Sequence, residues 1–203
     1  MRLFVALDIE PEIRRQIAHF RNLMKALAPD VRWVGPETFH VTLQFLGETN
    51  QLEEVQLALK RVKGSAVPLA FRSTGFFPNP KSPRVFWVGI ESDQRLQELV
   101  TSIARELLPL GFNRDAGPYK PHLTLARSGS GRPRPAAGER AAFGLQHVRV
   151  KAEELSPLEF GGMTARAFYL YESKLSPAGA KYTKLARYEL AGEPLSLPHP
   201  PRS

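Results

Sequence analysis

Two four-residue motifs of the same form constrain the fold of this chain more than any other feature of its sequence. They occupy residues 40–43 and 122–125, and they read His40-Val41-Thr42-Leu43 and His122-Leu123-Thr124-Leu125. Each motif alternates a polar residue with an aliphatic one, and successive side chains of a β-strand point to opposite faces. The motifs therefore predict two strands, each of which presents a histidine and a threonine on one face and buries aliphatic side chains on the other.

The two motifs lie in longer segments that resemble each other. An apolar stretch that begins at Arg2 and another that begins at Arg84 precede the two histidines by the same number of residues. At this offset the Gly-Pro pairs at residues 35–36 and 117–118 also coincide. The shared order of apolar strand, helix, Gly-Pro turn and His-x-Thr-x strand indicates a duplication. We predict one bilobal domain over residues 1–190, with repeat units that start near residues 2 and 84.

Hydrophobic periodicity predicts helices and short strands that interleave along the chain. The strands are flanked by turns rather than by continuous β-α-β crossovers, which favours the α+β class with antiparallel sheets. Late strands are predicted over residues 155–160 and 167–171 and at 188–190. The Ser, Gly, Pro and Arg content of residues 128–138 predicts a flexible loop, and the prolines of residues 191–203 predict a disordered tail.

The composition excludes several kinds of site. The 203 residues include no cysteine, which removes disulfides, thiol nucleophiles and cysteine-bound zinc. No apolar stretch approaches the roughly 20 residues that cross a bilayer, so we expect a cytoplasmic protein with no membrane partner. The formal net charge is +8, and basic residues are concentrated over residues 127–151. This charge favours an anionic partner such as RNA, although a solvated basic surface would have the same composition.

The residue types of the two motifs suit chemistry on a phosphodiester. A neutral imidazole can accept a proton from water while a charged imidazole donates one to the leaving alkoxide. This gives His40 and His122 the roles of acid and base. The hydroxyls of Thr42 and Thr124, on the same strand faces, can donate hydrogen bonds to the non-bridging phosphoryl oxygens. A strained 2′,3′-cyclic phosphate fits this set, and no metal or other cofactor is required.

Other kinds of site have less support in the sequence. Metal sites need three or four ligands, nucleophilic serines of hydrolases lie in Gly-x-Ser-x-Gly, and a Gly-x-x-x-x-Gly-Lys loop cradles nucleoside triphosphates. None of these arrangements accompanies the motifs. A single His-x-Thr-x strand is usually structural, so the prediction of catalysis depends on the pair. A phosphodiesterase for 2′-5′-linked oligonucleotides or small cyclic nucleotides, and a non-catalytic RNA-binding module, remain open.

Several stretches resemble one family, the bacterial and archaeal RNA 2′,3′-cyclic phosphodiesterases, also called 2′-5′ RNA ligases, of the 2H phosphoesterase superfamily. Besides the paired motifs, the matching stretches are residues 2–7, residues 44–48, residues 121–127 and residues 171–173 with Gly179, Tyr182 and Leu185. The resemblance implies two lobes, each an antiparallel sheet with helices outside, and an active-site cleft between the sheets. It also implies hydrolysis of RNA 2′,3′-cyclic phosphate to a 2′-phosphate end, with reversible 2′-5′ ligation as a related activity.

The resemblance also assigns roles to individual residues. His40 corresponds to the proton donor of the family and His122 to the proton acceptor, while Thr42 and Thr124 hold the phosphoryl oxygens. Arg127 matches an arginine near the bound nucleotide. We expect a monomer that acts without metal.

Strict alternation, however, places Arg127 on the strand face opposite to His122. Its contact with substrate therefore requires the strand to end or twist before it. The same parity places Phe45 in the core rather than beside His40.

Overall fold

Strands and helices interleave along the chain. The computed structural model describes residues 1–114, 117–128, 135–176 and 179–192. In chain order the elements are β1 (Arg2–Asp8), α1 (Pro11–Leu27), β2 (Arg32–Trp33), β3 (His40–Glu48), α2 (Leu52–Lys60), β4 (Val67–Phe77), β5 (Val85–Glu91), α3 (Gln94–Leu107), β6 (His122–Arg127), α4 (Pro135–Glu154), β7 (Glu159–Ala165), β8 (Ala167–Ser176) and β9 (Gly179–Glu189). Short 3₁₀ turns at Pro36–Thr38 and Leu108–Leu110 precede β3 and follow α3.

Each motif begins a strand of a different antiparallel sheet. The first sheet has the order β3-β1-β8-β9, and the second has the order β2-β6-β5-β4-β7. The first motif opens β3 and the second opens β6. The C-terminal β8–β9 hairpin pairs with β1, so the first sheet combines strands from both halves of the chain. The predicted α+β class with antiparallel sheets is confirmed.

One hydrophobic cluster joins both sheets to the helices. The apolar stripe of α1 packs into it through four buried side chains, Ile13, Ile17, Phe20 and Met24. The stripe of α3 does the same through Leu96, Leu99, Val100, Ile103 and Leu107. Both helices begin at residues that favour a helix N-terminus. Helix α1 has proline in its first turn. The Asp93 side chain caps α3 by accepting a hydrogen bond from the Arg95 backbone N–H at 3.0 Å.

The β1–β3 and β5–β6 pairs, which carry the two motifs, have similar registers. Relative to the offset that superimposes the two motifs in the sequence, however, the partner strands are shifted by one residue. The residues opposite the two motif threonines are Ala6, which faces Thr42, and Trp87, which faces Thr124. Phe4 and Phe86 coincide at the sequence offset but face different sides. Phe4 packs with Ala6 and Tyr171 in a small cluster on the face of β1 that points away from the main core, whereas Phe86 is fully buried in that core. The duplication itself stays a prediction.

The segment after the second motif differs from the predicted loop. Helix α4 begins at Pro135, so residues 135–138 are helical, while residues 129–134 lie outside the described residues. The helix buries one stripe, formed by Leu145, Val148 and Ala152. Small and basic residues surround this stripe, and they obscure its periodicity in the sequence. The late strands also differ from the prediction, since β7 spans Glu159–Ala165 and leaves out residues 155–158, β8 continues to Ser176 and β9 already starts at Gly179.

The predicted tail begins with a bonded residue. The Ala191 backbone N–H donates to the Gly64 carbonyl at 2.9 Å, and the Ala66 N–H donates to the Ala191 carbonyl at 2.7 Å. Residues 193–203 lie outside the described residues. Of the helices that the structure describes, none combines the length and apolarity that a membrane span needs.

Candidate active site

The structure brings the four polar residues of the motifs together in one cleft of about 690 Å³. His40, Thr42, His122 and Thr124 all line this cleft, and each is half-buried. The aliphatic residues between them are buried on the opposite strand faces, with relative exposures of 0% to 3% for Val41, Leu43, Leu123 and Leu125. The alternation of each motif therefore presents its histidine and threonine to the cleft and anchors the strand in the core.

Both imidazoles are held in the same way. Nδ1 of His40 lies 2.7 Å from the carbonyl oxygen of Thr38, and Nδ1 of His122 lies 2.8 Å from that of Lys120. A carbonyl oxygen can only accept, so Nδ1 is the donor in both bonds. This fixes the tautomer in which Nε2 of a neutral ring has a free lone pair. Each Nε2 is then available for proton transfer.

The environment lowers the pKa of both histidines. Burial is the main cause for His40, and the positive charge of Arg127 adds to it, while the hydrogen bond to Thr38 opposes the shift. Burial also lowers the pKa of His122, again with help from Arg127 and against the hydrogen bond to Lys120. Both rings therefore favour the neutral form more strongly than a free imidazole does, and an anion in the cleft would counteract this effect.

A β-bulge in each strand places a further side chain in the cleft. In β3 the residue Leu43 is inserted between the positions that pair with Val5 and Ala6, and in β6 Leu125 is inserted in the same way. The extra residue reverses the alternation beyond it. Phe45 is consequently 57% exposed and lines the cleft, so its prediction as a core residue is wrong.

The same bulge explains the position of Arg127. Its side chain is exposed and lines the cleft with His122 and Thr124, although strict alternation places it on the other face. The strand neither ends nor needs an additional twist before Arg127, because the inserted Leu125 restores the parity.

Aromatic side chains surround both imidazoles, and sequence reasoning missed most of them. The Phe4 ring centroid lies 4.9 Å from that of His40, and the Tyr182 ring meets His40 edge-on at 5.2 Å. On the other side, the Phe77 ring stands edge-on to His122 at 5.0 Å. Their proximity to the histidines could not be predicted, because it depends on which strands pair and in which register, and the sequence does not reveal either.

An ion pair supports the turn that precedes His40. Arg14 of α1 pairs with Asp8 at 2.8 Å and also donates to the carbonyl oxygens of Pro36 and Phe39. Asp8 lies opposite His40 in the β1–β3 register and forms a second ion pair with Lys184. The 3₁₀ turn that supplies the Thr38 carbonyl is thereby tied to α1 and β1.

Metal-ligating side chains are sparse in the part of the chain that the structure describes. No group of three or more His, Asp or Glu residues is arranged there to hold a metal ion. Glu37 is the carboxylate that lines the cleft within this part of the chain, and it is exposed at the rim.

The chain is similar to known proteins both in sequence and in fold. A family model described as the 2′-5′ RNA ligase superfamily matches residues 9–165. A protein of Archaeoglobus fulgidus named RNA 2′,3′-cyclic phosphodiesterase is 36% identical over 193 residues, which cover 93% of this chain and 100% of the relative. The crystal structure of TT0787 from Thermus thermophilus matches with a TM-score of 0.74 at 27% identity, over 95% of this chain and 100% of that one. The crystal structure of E. coli LigT complexed with 3′-AMP matches with a TM-score of 0.71 at 27% identity, over 93% of this chain and 97% of that one.

Proposed function

Because the chain belongs to the 2′-5′ RNA ligase superfamily, we propose that it hydrolyses RNA 2′,3′-cyclic phosphate ends to 2′-phosphomonoesters. The observation that carries the proposal is the cleft, in which two histidines and two threonines face one another across the ends of β3 and β6. The relatives named RNA 2′,3′-cyclic phosphodiesterase support the substrate class, and the LigT complex with 3′-AMP supports a nucleotide ligand.

Two imidazoles are sufficient for this hydrolysis. Nε2 of His122 accepts a proton from water as the water oxygen attacks phosphorus, and the bond between phosphorus and O3′ breaks. Nε2 of a charged His40 donates its proton to O3′, which leaves as the 3′-hydroxyl, and the phosphate stays on O2′. This division of roles comes from the family resemblance, since the two histidines are held in the same way.

The threonines and Arg127 act on the charge of the phosphoryl group. The hydroxyls of Thr42 and Thr124 are positioned on the cleft faces of their strands, where they can donate to the non-bridging oxygens as negative charge accumulates. Arg127 influences both histidines electrostatically, so its charge also reaches the space between them. No metal takes part in the proposed mechanism.

The same residues account for ligation. If the 5′-hydroxyl of a second RNA takes the place of water, His122 removes its proton, and the O3′ leaving group again receives one from His40. The product is then a 2′-5′ phosphodiester, and reversal of these steps cleaves it. Hydrolysis and 2′-5′ joining thus differ only in the attacking hydroxyl.

An RNA with a 2′,3′-cyclic phosphate end tests the proposal directly. Wild type, His40→Ala and His122→Ala are incubated with it in the presence and absence of EDTA, and the products are separated by chromatography. We expect 2′-phosphate ends from wild type with or without EDTA. Each variant should lose about 10²-fold or more in rate, which is the usual contribution of a general acid or base.

His19→Ala is the matched control, because His19 is exposed on α1 and lies outside the cleft. It should turn over like wild type. A 3′-phosphate product would contradict O3′ as the leaving group, and activity lost with EDTA would contradict the metal-free mechanism. Binding of the RNA without turnover by wild type would favour a recognition module instead.

A further inference from the structure

Two arginines lie directly opposite each other at the rim of the cleft. In the short β2–β6 ladder Arg32 pairs with Arg127, and both side chains line the cleft. Opposed residues of an antiparallel pair point to the same face, with Cβ atoms about 5 Å apart. The next residue of β2, Trp33, fixes the strand through a hydrogen bond from its Nε1 to the Ala28 carbonyl at 2.8 Å and through edge contact with Phe86.

This arrangement is costly without a counter-charge, because like charges directly opposite each other in a sheet are destabilising. Within the described residues, neither the Arg32 nor the Arg127 guanidinium has an ion pair or a side-chain hydrogen bond. The carboxylate of Glu37, which also lines the cleft, acts on Arg21, where it opposes the lowering of the Arg21 pKa by burial. Among the described side chains, no carboxylate forms an ion pair with either arginine, and a ligand anion would relieve their repulsion.

The distance from the catalytic residues fits a second phosphate rather than the first. Because Leu125 is the inserted residue of the bulge, Thr124 and Arg127 are separated by one two-residue step of the regular strand. Such a step is about 7 Å long. Arg32 lies beside Arg127, across the ladder on the edge strand β2. A phosphate held by Thr124 and the next phosphate of the same RNA chain are separated by one ribose, a distance of the same order.

We propose that Arg32, together with Arg127, forms a subsite for the internucleotide phosphate that precedes the cyclic end, so that the enzyme selects oligonucleotides over nucleoside cyclic phosphates. The inference rests on the proposed function and specifies its substrate class. Arg127 faces both phosphates, whereas Arg32 contacts only the second. Arg32 is accordingly a specificity residue and takes no part in proton transfer.

The test compares cytidine 2′,3′-cyclic phosphate with a dinucleotide that ends in the same cyclic nucleotide. In wild type kcat/KM should be higher for the dinucleotide. In Arg32→Gln the ratio of the two kcat/KM values should fall about tenfold or more, which is the usual effect of one charge-assisted hydrogen bond. Arg32→Lys should retain part of the ratio. Arg166→Gln, which removes an equal charge from an exposed position outside the cleft, should leave it unchanged.

Two further measurements do not depend on any variant. A dinucleotide whose internucleotide linkage is an uncharged methylphosphonate should react with wild type like the mononucleotide. The slope of log kcat/KM against log salt concentration should be more negative for the natural dinucleotide by roughly 0.7, the value for one phosphate of a single strand. An equal loss on both substrates in Arg32→Gln, or an unchanged ratio, would overturn the inference. If wild type hydrolyses neither substrate, the proposed function fails instead.

Discussion

At the scale of single residues, the proposed proton transfer depends on how each imidazole is oriented. The backbone carbonyl two positions before each histidine accepts a hydrogen bond from Nδ1, so the segment directly before each motif strand fixes the tautomer of the ring. No carboxylate is used as the orienting group. Because a neutral carbonyl stabilises the charged ring less than a carboxylate would, burial and Arg127 can lower both pKa values.

Arg127→Gln should raise the pKa of both histidines, because it removes a positive charge that disfavours the imidazolium. NMR titration of the ring protons of His40 and His122 measures this shift in the absence of substrate. Both limbs of the pH dependence of kcat/KM, which reports the free enzyme, should move to higher pH in the same variant. Arg166→Gln controls for the change in net charge. Unchanged pKa values in Arg127→Gln would contradict the electrostatic role of Arg127.

At the scale of elements, the sequence predicts the two motif strands but not the bulges within them. Polar and aliphatic residues alternate clearly through each motif, so the positions of His40, Thr42, His122 and Thr124 on one face could be anticipated. The bulges could not, since an inserted residue looks like any other aliphatic residue in the sequence. Two consecutive buried positions, Leu125 and Ala126, reveal the bulge only once burial is known.

The aromatic groups beside the histidines escaped prediction for a related reason. They reach the cleft from neighbouring strands, and their positions depend on the register between strands. Helix α4 escaped because basic and small residues dilute its apolar stripe. Local pattern therefore predicted which motif side chains share a strand face, while their surroundings required the pairing of distant segments.

Gly75 leaves the space that Trp87 occupies beside His122. A Cβ built on Gly75 would lie 2.2 Å from Cζ2 of Trp87, and the Trp87 ring centroid is 6.3 Å from that of His122. Gly75→Ala should therefore displace the indole, lower the free energy of unfolding by about 1–3 kcal/mol and reduce turnover of the cyclic phosphate. Urea unfolding and initial rates measure both effects.

The double variant Gly75→Ala with Trp87→Phe is the control for this clash. The smaller ring makes room for the added methyl group, so the double variant should lose less stability than the sum of the two single variants. Strict additivity of the two losses would show that the alanine does not act through Trp87.

At the scale of the whole molecule, the two sheets share one hydrophobic core. The sequence predicted that the chain belongs to this family and that it is an enzyme, and matches over most of the chain confirm both predictions. Recognition succeeded because several motifs agree in order and spacing. The prediction of a single domain over residues 1–190 can be tested by measuring whether the two sheets unfold cooperatively.

Phe168→Ala provides this measurement. Phe168 is fully buried in the first sheet and stacks on Tyr188 at 4.9 Å, so its truncation should cost about 3–5 kcal/mol. Both tryptophans, Trp33 and Trp87, lie in the second sheet. If the sheets unfold as one unit, the tryptophan fluorescence transition in urea should shift as far as the circular dichroism transition.

Leu175→Ala is the matched control in the same strand, because Leu175 is 69% exposed and should change stability by less than about 0.5 kcal/mol. A fluorescence transition that stays in place while circular dichroism shifts in Phe168→Ala would show that the two sheets unfold separately, contrary to the single-domain prediction.

The inserted leucine of the second motif affects any attempt to graft these residues onto another protein. If a host sheet paired all six residues from His122 to Arg127 in regular alternation, the arginine three residues after the threonine would point into the interior. A graft that keeps the arginine on the same face therefore needs all six residues, and the host sheet must accommodate a bulge at the fourth of them, the position of Leu125. In this chain Leu125, which is buried in the core, therefore decides whether Arg127 lines the cleft.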